Sequence, residues 1–465
     1  GGDRQFNGLV FEDWYRDLST PGMKVKVISR NRKEYTRESK QELTKVSRSA
    51  QPELHPFERA REYQRALNAV KLNKHFAKPF VAALSGHMDG VNCMAKSMGS
   101  LTTLVSGGCD GEIRRWDLSE RSAVWTTEAH AGFVRGLAFS RSGHHFVSAS
   151  DDKTVKLWSA GASSSNSEPL GKFLGRHGFT DVDHHHREHT FGTAGPTLML
   201  WDTARSEPLQ SFEWGADSIT KLRFNPAQHN LLGCLSTDRA VTLYDVGTGS
   251  ATQKVTLQTR SNALCWNPME PFHFTLASED HCLYTFDMRK LSHAIAVHRD
   301  HVSAVLDVDY SPTGQQFVSG SYDKTLRLWQ VSENSSYQVY HTKRMQRLFS
   351  VCWSMDSAYV LSGSDDTNVR MWRAVANEHG GKLTAREEQK REYQSALIEK
   401  HKYLPDVKRI KKHTHVPKAI MKAAAVKATV EGTQLKREKN RRAHSAPGSM
   451  PKAKAKKKKV WKVHE

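Results

Sequence analysis

Four stretches of the chain carry a His, a Ser, an Asp and a Trp in the same order. They are His87, Ser106, Asp110 and Trp116; His130, Ser148, Asp152 and Trp158; His298, Ser319, Asp323 and Trp329; and His341, Ser362, Asp366 and Trp372. A His, a Ser and an Asp together could activate a hydroxyl nucleophile. An enzyme needs that arrangement once, so its appearance four times argues for a structural role. A second cluster, His184, His185, His186 and His189 with His177 nearby, has the residue type of a metal site. On a strand, His184 and His186 point to one face and His185 to the other, so consecutive imidazoles do not converge on one ion, and a surface strand is the expectation. The chain has no G-x-x-x-x-G-K-[ST] loop, no H-E-x-x-H pair and no C-x-x-C among its six cysteines. Nothing here points to an enzyme, a cofactor or a bound metal.

The elements that hold these residues come from a repeat. Aromatic side chains recur at Trp116, Trp158, Trp201, Tyr244, Phe286, Trp329 and Trp372, in steps of 42 or 43 residues. An Asp stands six residues before the aromatic in six of the seven units (Asp110, Asp152, Asp238, Asp280, Asp323 and Asp366), with Gly195 in the third. Segments such as Thr154–Trp158 and Thr325–Trp329 alternate apolar and polar residues at period two, as half-buried strands do. Turn residues separate them at Ser142-Gly143, Asn225-Pro226, Asn267-Pro268 and Pro312-Thr313-Gly314. Four short strands per unit, seven times over, predict an all-β seven-bladed propeller spanning 80–372, with Phe80–Leu84 completing the last blade.

The repeats resemble the WD-repeat family. The resemblance implies that the His, Ser, Asp and Trp of a blade form a buried hydrogen-bonded tetrad, kept only in part by blades three to five. It also implies a role for Phe286-Asp287-Met288-Arg289, which looks like the aromatic-Asp-x-Arg element with which some WD-repeat proteins dock on the adaptor of a cullin-RING ubiquitin ligase. The residues of that element are Phe286, Asp287 and Arg289.

The chain's net charge of +20 is unevenly spread. Residues 1–79 carry +7, residues 80–372 carry −4 and residues 373–465 carry +17. A near-neutral body with basic ends expects a polyanion as partner. The mean hydropathy is −0.63, and no apolar run approaches the roughly 18 residues of a membrane helix, so no membrane partner is expected. The first residues have neither a basic stretch followed by an apolar core nor an amphipathic transit helix, which argues against secretion and organelle import. An amphipathic helix is expected from Pro56 to Val70, with Ala60, Tyr63, Leu67 and Val70 on one face and Arg59, Arg61 and Arg65 elsewhere around it. Thr384 and Glu387 form a capping box for a second helix, with Tyr393, Ala396, Leu397 and Leu404 on a face that Pro405 ends. A third starts at Pro417. Candidate RNA-contacting cations are Arg59, Arg61, Arg65, Lys408, Arg409, Lys411, Lys412, Lys418, Lys422, Lys436, Arg437, Lys439, Arg441, Arg442, Lys456, Lys457, Lys458 and Lys459. The last residues, 431–465, read as a disordered basic tail.

These flanks sharpen the resemblance. Met23–Val27, Leu54–Tyr63 and Phe76–Phe80 on one side, and Leu383–Glu387, Tyr403–Ile410 and His413–Lys418 on the other, are similar to the WD-repeat and SOF-domain-containing proteins. The implied organisation is an extension of unknown role over 1–22, a basic arm over 23–79, the propeller, a SOF-like helical domain over 373–430 and the tail. The implied function is a scaffold of the small-subunit processome in the nucleolus, with U3 snoRNA or pre-rRNA and other processome proteins as partners. The implied alternative is a ubiquitin-ligase substrate receptor.

Overall fold

The computed structural model describes residues 51–161, 168–212, 217–377, 381, 383–446, 448–450 and 454–464. The 1–22 extension and the Met23–Val27 stretch lie outside the described residues. Seven antiparallel sheets follow one another along the chain as blades 1 to 7, starting at Val91, Val134, Asp181, Ile219, Ser261, Val305 and Leu348. Phe80–Leu84 is the outer strand of blade 7, with Phe80 opposite Trp372 and Leu84 opposite Val369, so the first strand closes the ring on the last. The seven recurring aromatics are all at most 3 % exposed. In four blades a Phe one strand away stacks on the anchor: Phe146 on Trp158, Phe191 on Trp201, Phe274 on Phe286 and Phe317 on Trp329.

The recurring Asp has a local task that accounts for its survival in blades that lost the other tetrad residues. Its carboxylate accepts the backbone N–H two residues on in blades 1, 2, 4, 5 and 6, at 2.9 to 3.2 Å. The residue between sits at positive φ: Gly111, Lys153, Arg239, His281 and Lys324. A side chain there is strained by about 1 kcal/mol or more, and the Asp-anchored turn holds it in place.

Two blades form the full tetrad. In blade 2, His130 Nδ1 lies 2.9 Å from Asp152, its Nε2 2.8 Å from Ser148 Oγ, and Trp158 Nε1 donates to the same hydroxyl at 2.9 Å. In blade 6 the histidine is His301, with 2.9 Å to Asp323 and 2.7 Å to Ser319, and Trp329 donating to Ser319 at 2.7 Å. This corrects the assignment of His298. His301 stands 28 residues before its Trp, as His130 does, whereas His298 stands 31 before and lies in the core with its ring against Phe317 and Trp329. Blade 1 is partial: His87 meets Ser106 at 2.6 Å and Trp116 donates to Ser106 at 2.7 Å, while His87 Nδ1 has no hydrogen-bond partner. Blade 7 corrects the fourth set. Trp372 donates to Ser362 at 2.9 Å, Arg370 takes Asp366, and His341 faces His415 instead of the tetrad. Position 344, which would supply the tetrad His by spacing, is Arg344.

The histidine cluster is not a surface strand. His184 and His185 are buried; His185 Nδ1 accepts the N–H groups of Arg187 and Glu188, and its Nε2–H donates to the His229 carbonyl at 3.0 Å. Both ring nitrogens thus stitch a turn to the neighbouring blade, which burial requires of a polar ring.

Among the described residues five α-helices flank the ring in sequence: α1 (Glu58–His75), α2 (Ala385–Lys400), α3 (Pro405–Lys412), α4 (Lys418–Ala443) and α5 (Ala455–Lys458). The propeller and α3 to α5 belong to one compact unit; the first two-thirds of α1 and α2 belong to another. On α1 the buried positions are Ala66, Ala69 and Val70, while Ala60 is exposed, so the apolar face starts a turn later than expected. The Thr384–Glu387 capping box is present. Helix α2 stops at Lys400 and Pro405 starts α3, since a proline costs nothing in a first turn where its N–H would lack a partner. Only Leu397 of the expected α2 face is buried. Helix α4 runs through the boundary expected after 430, and Val460–His464 is a strand, so much of the tail read as disordered has regular structure.

Candidate nucleic-acid interface

Helix α4 holds more of the sequence-derived cations than any other described helix. Its 26 residues, about 39 Å at 1.5 Å each, bury no side chain. Lys418, Lys422, Lys436, Arg437, Lys439 and Arg441 are exposed on it, and Lys408, Arg409, Lys411 and Lys412 are exposed on α3. Two cations turn inward. Arg442 pairs with Glu438 at 3.0 Å one helical turn back, and Lys427, which sequence reasoning left off the list of candidates, donates to the His301 carbonyl at 2.9 Å. That bond ties α4 to the blade 6 tetrad loop. Crowding among the cations is felt at Lys74, which burial first and Lys411 second hold below the usual ammonium range.

The terminal strand is the feature the charge pattern concealed. Val460–His464 pairs antiparallel with the outer strand Ser250–Leu257 and gives blade 4 a fifth strand. The register shifts between Thr256 and Leu257, which leaves Trp461 as the extra residue, exposed beneath the Arg239 guanidinium at 5.3 Å. Val460 and Val463 both pack on the core of blades 4 and 5. Before the strand, Lys459 pairs with Asp280 of blade 5 at 2.6 Å and Lys458 with Glu438 of α4 at 2.8 Å. Burial would raise the Asp280 carboxyl; the Lys459 ammonium and the Tyr284 hydroxyl overcome it and hold the group below the usual range. Lys458 and Lys459 therefore serve the fold, while Lys456 and Lys457 are exposed beside them.

In the other unit, Arg65 donates to the Tyr393 hydroxyl at 3.2 Å and Lys400 pairs with Glu62 at 2.6 Å, so α1 and α2 hold each other through polar contacts. Arg59 and Arg61 are exposed. The structure thus brings the C-terminal candidates together on α3 and α4, and uses Arg65, Arg442, Lys458 and Lys459 internally.

The Phe286–Arg289 element ends the third strand of blade 5. Phe286 is core, and Asp287 accepts the Arg289 guanidinium through both oxygens, at 3.1 and 2.9 Å. Arg289 is 61 % exposed and lies over the Phe272 ring at 4.4 Å. A fork locked on a carboxylate presents its remaining N–H groups in one direction. Among the described residues, His87, Asp110 and Glu112 bring possible ligand atoms within 4.8 Å of one another, but Arg114 already holds Glu112 with two bonds, at 3.1 and 2.8 Å.

Known proteins match both halves of this arrangement. The Sof1-like domain profile covers residues 374–460, and the WD domain, G-beta repeat profile covers 78–117, 121–159, 292–330 and 337–373. The stretch left between 159 and 292 holds most of blades 3 to 5. Over 445 residues the chain is 47 % identical to the DDB1- and CUL4-associated factor 13 of Danio rerio, covering 95 % of this chain and all of that one, and 48 % identical to its namesake in Xenopus laevis with the same coverage. It is 44 % identical to Protein SOF1 of Saccharomyces cerevisiae, covering 90 % of this chain and 91 % of that one. The solved WD40 propeller of Doa1 covers 63 % of this chain and 96 % of its own, with a TM-score of 0.55 at 18 % identity, a likeness of fold alone.

Proposed function

Since the chain belongs to the WD-repeat and SOF-domain-containing proteins, we propose that it is a non-catalytic scaffold of ribosome biogenesis, acting in the nucleolus within the small-subunit processome. The propeller holds protein neighbours and the basic helices hold U3 snoRNA or pre-rRNA. The observation that carries this reading is α4: a long helix whose side chains are all at least partly accessible, lined with cations, bonded to the ring by Lys427 and paired through Glu438 with Lys458, just ahead of the terminal strand. Such a helix contacts phosphates without choosing sequence. The repeated His, Ser and Asp sets support a non-enzymatic role, because their polar atoms satisfy Trp and turn groups in the core. Crosslinking the protein to RNA in cells and sequencing the attached fragments tests the reading: pre-rRNA and U3 fragments are expected, and their absence overturns it.

A second reading is favoured by Arg289. Its exposure and its two-bond attachment to Asp287 suit docking on a ligase adaptor, and relatives at 47 to 48 % identity are called DDB1- and CUL4-associated factors. Arg289→Ala should remove adaptor co-purification under this reading and leave pre-rRNA processing intact under the first.

A further inference from the structure

We propose that the recess between the start of α4 and the loops of blades 6 and 7 is a binding site for one unstacked base of single-stranded RNA. The proposal rests on the RNA-scaffold reading above and gives it a location. The recess has a volume of about 610 Å³ and a floor of Met345, Pro417, Ile420 and Ala423. That size lies within the ~300–1,000 Å³ of sites that hold flat organic ligands.

Three features select a base. Flat rings stand in the wall: Tyr322, 40 % exposed, carries the Arg347 guanidinium 4.2 Å from its ring centre, and His341 and His415 lie with ring centres 5.4 Å apart. Stacking on such surfaces is worth about 1–3 kcal/mol per base and accepts any base. Thr342 is among the lining residues, and its hydroxyl, buried and without a hydrogen-bond partner, can both give and take a bond at a base edge once the side chain turns into the recess. The rim is cationic: Lys324 and Lys343 border the opening, and Lys418 and Lys422 flank Ala419 and Ala423 on α4. The one carboxylate in the lining, Asp323, is committed to His301 and Thr325. An acidic peptide would satisfy the rim but would leave the ring surfaces and the hydroxyl without a task.

The position of the site follows from the fold. Lys324 is the positive-φ residue of the Asp323 turn, so the tetrad that builds blade 6 also aims a rim cation. The His341 displaced from its expected tetrad becomes wall, held to His415 at 3.2 Å.

The test compares two probes on the full chain by fluorescence anisotropy: a 12-nucleotide single-stranded RNA of mixed sequence and an abasic ribose-phosphate oligomer of the same length. The wild type should prefer the base-bearing probe by roughly tenfold, as about 1.4 kcal/mol of stacking gives. Tyr322→Ala should bring the ratio towards one with little change for the abasic probe, and Tyr322→Phe should keep it. Lys436→Gln with Arg437→Gln should weaken both probes and keep the ratio. An unchanged ratio in Tyr322→Ala overturns the base site while the RNA-scaffold reading stands. Binding of a Glu- and Leu-rich peptide that Tyr322→Ala abolishes, with the RNA ratio unmoved, also overturns it. A wild type that binds neither probe overturns both readings.

Discussion

A serine hydroxyl shared by an indole and an imidazole is the most vulnerable point of each tetrad, because its loss strands two buried groups at once. Ser148→Ala should destabilise the chain by roughly 2–4 kcal/mol, the sum of leaving Trp158 Nε1 and His130 Nε2 without partners. The corrected assignments are checked the same way. His301→Ala leaves the buried Asp323 without its imidazole and should cost on the order of 3 kcal/mol, whereas His341→Ala should stay within about 0.5 kcal/mol. Denaturant titration reads all three. The histidines also set the acid limit. Burial holds His87 and His298 down at about 4 and lowers His130 and His301, against an unfolded value near 6.5. Between pH 6.5 and 4 the unfolded chain therefore binds protons the folded chain refuses, and the stability present above pH 6.5 drains away as pH falls. Asp307, which burial pushes up to about 6, and Asp183, which burial also raises, work in the opposite sense by taking protons in the folded state. These two carboxyls are outweighed by the histidines, since burial lowers His184, His186 and His341 as well, so denaturant midpoints at pH 7.5, 5.5 and 4.5 should fall in that order.

At the scale of elements, the terminal strand shows how a charge pattern can hide structure. Residues 454–459 read as a solvated lysine run, and five residues of alternating character after it are too few to call a strand by themselves. What orders them is the outer edge of Ser250–Leu257, which offers backbone donors and acceptors that no other described strand takes up. Val463→Asp should put a charge into the apolar contact with blades 4 and 5 and free the strand. Amide exchange across 250–257 should then accelerate by tenfold or more, while the exchange of blade 1 stays as it was, since each blade is complete with four strands. Unchanged protection at 250–257 would mean that the strand is held by something other than this packing. Helix boundaries followed the same logic: the Thr384–Glu387 box was readable because its bonds are local, whereas the end of α2 at Lys400 and the run of α4 through position 430 carry no comparable local mark.

For the molecule as a whole, the decisive quantity is the charge carried by α3 and α4 on a near-neutral ring. Arms that engage about eight phosphates of single-stranded RNA should show a log-log salt slope near −5 or −6. Replacing Lys436, Arg437, Lys439 and Arg441 by Gln should flatten that slope by about 3, at ~0.7 per phosphate contact, and an unchanged slope would place the RNA elsewhere. The amino-acid sequence by itself determined the ring: the 42- to 43-residue spacing of aromatics, the Asp turns, the seven blades and the closure by Phe80–Leu84, because each blade is built from residues close together in the chain. It also determined where the positive charge lies. The 28-residue spacing that His301 shares with His130 was also in the sequence and already separated it from His298. Only the tertiary structure decided that His341 becomes the wall of a recess, that His184 and His185 are buried, and that the last strand lies on blade 4. Those outcomes depend on directions of side chains and on partners some two hundred residues away, and neither leaves a period in the sequence.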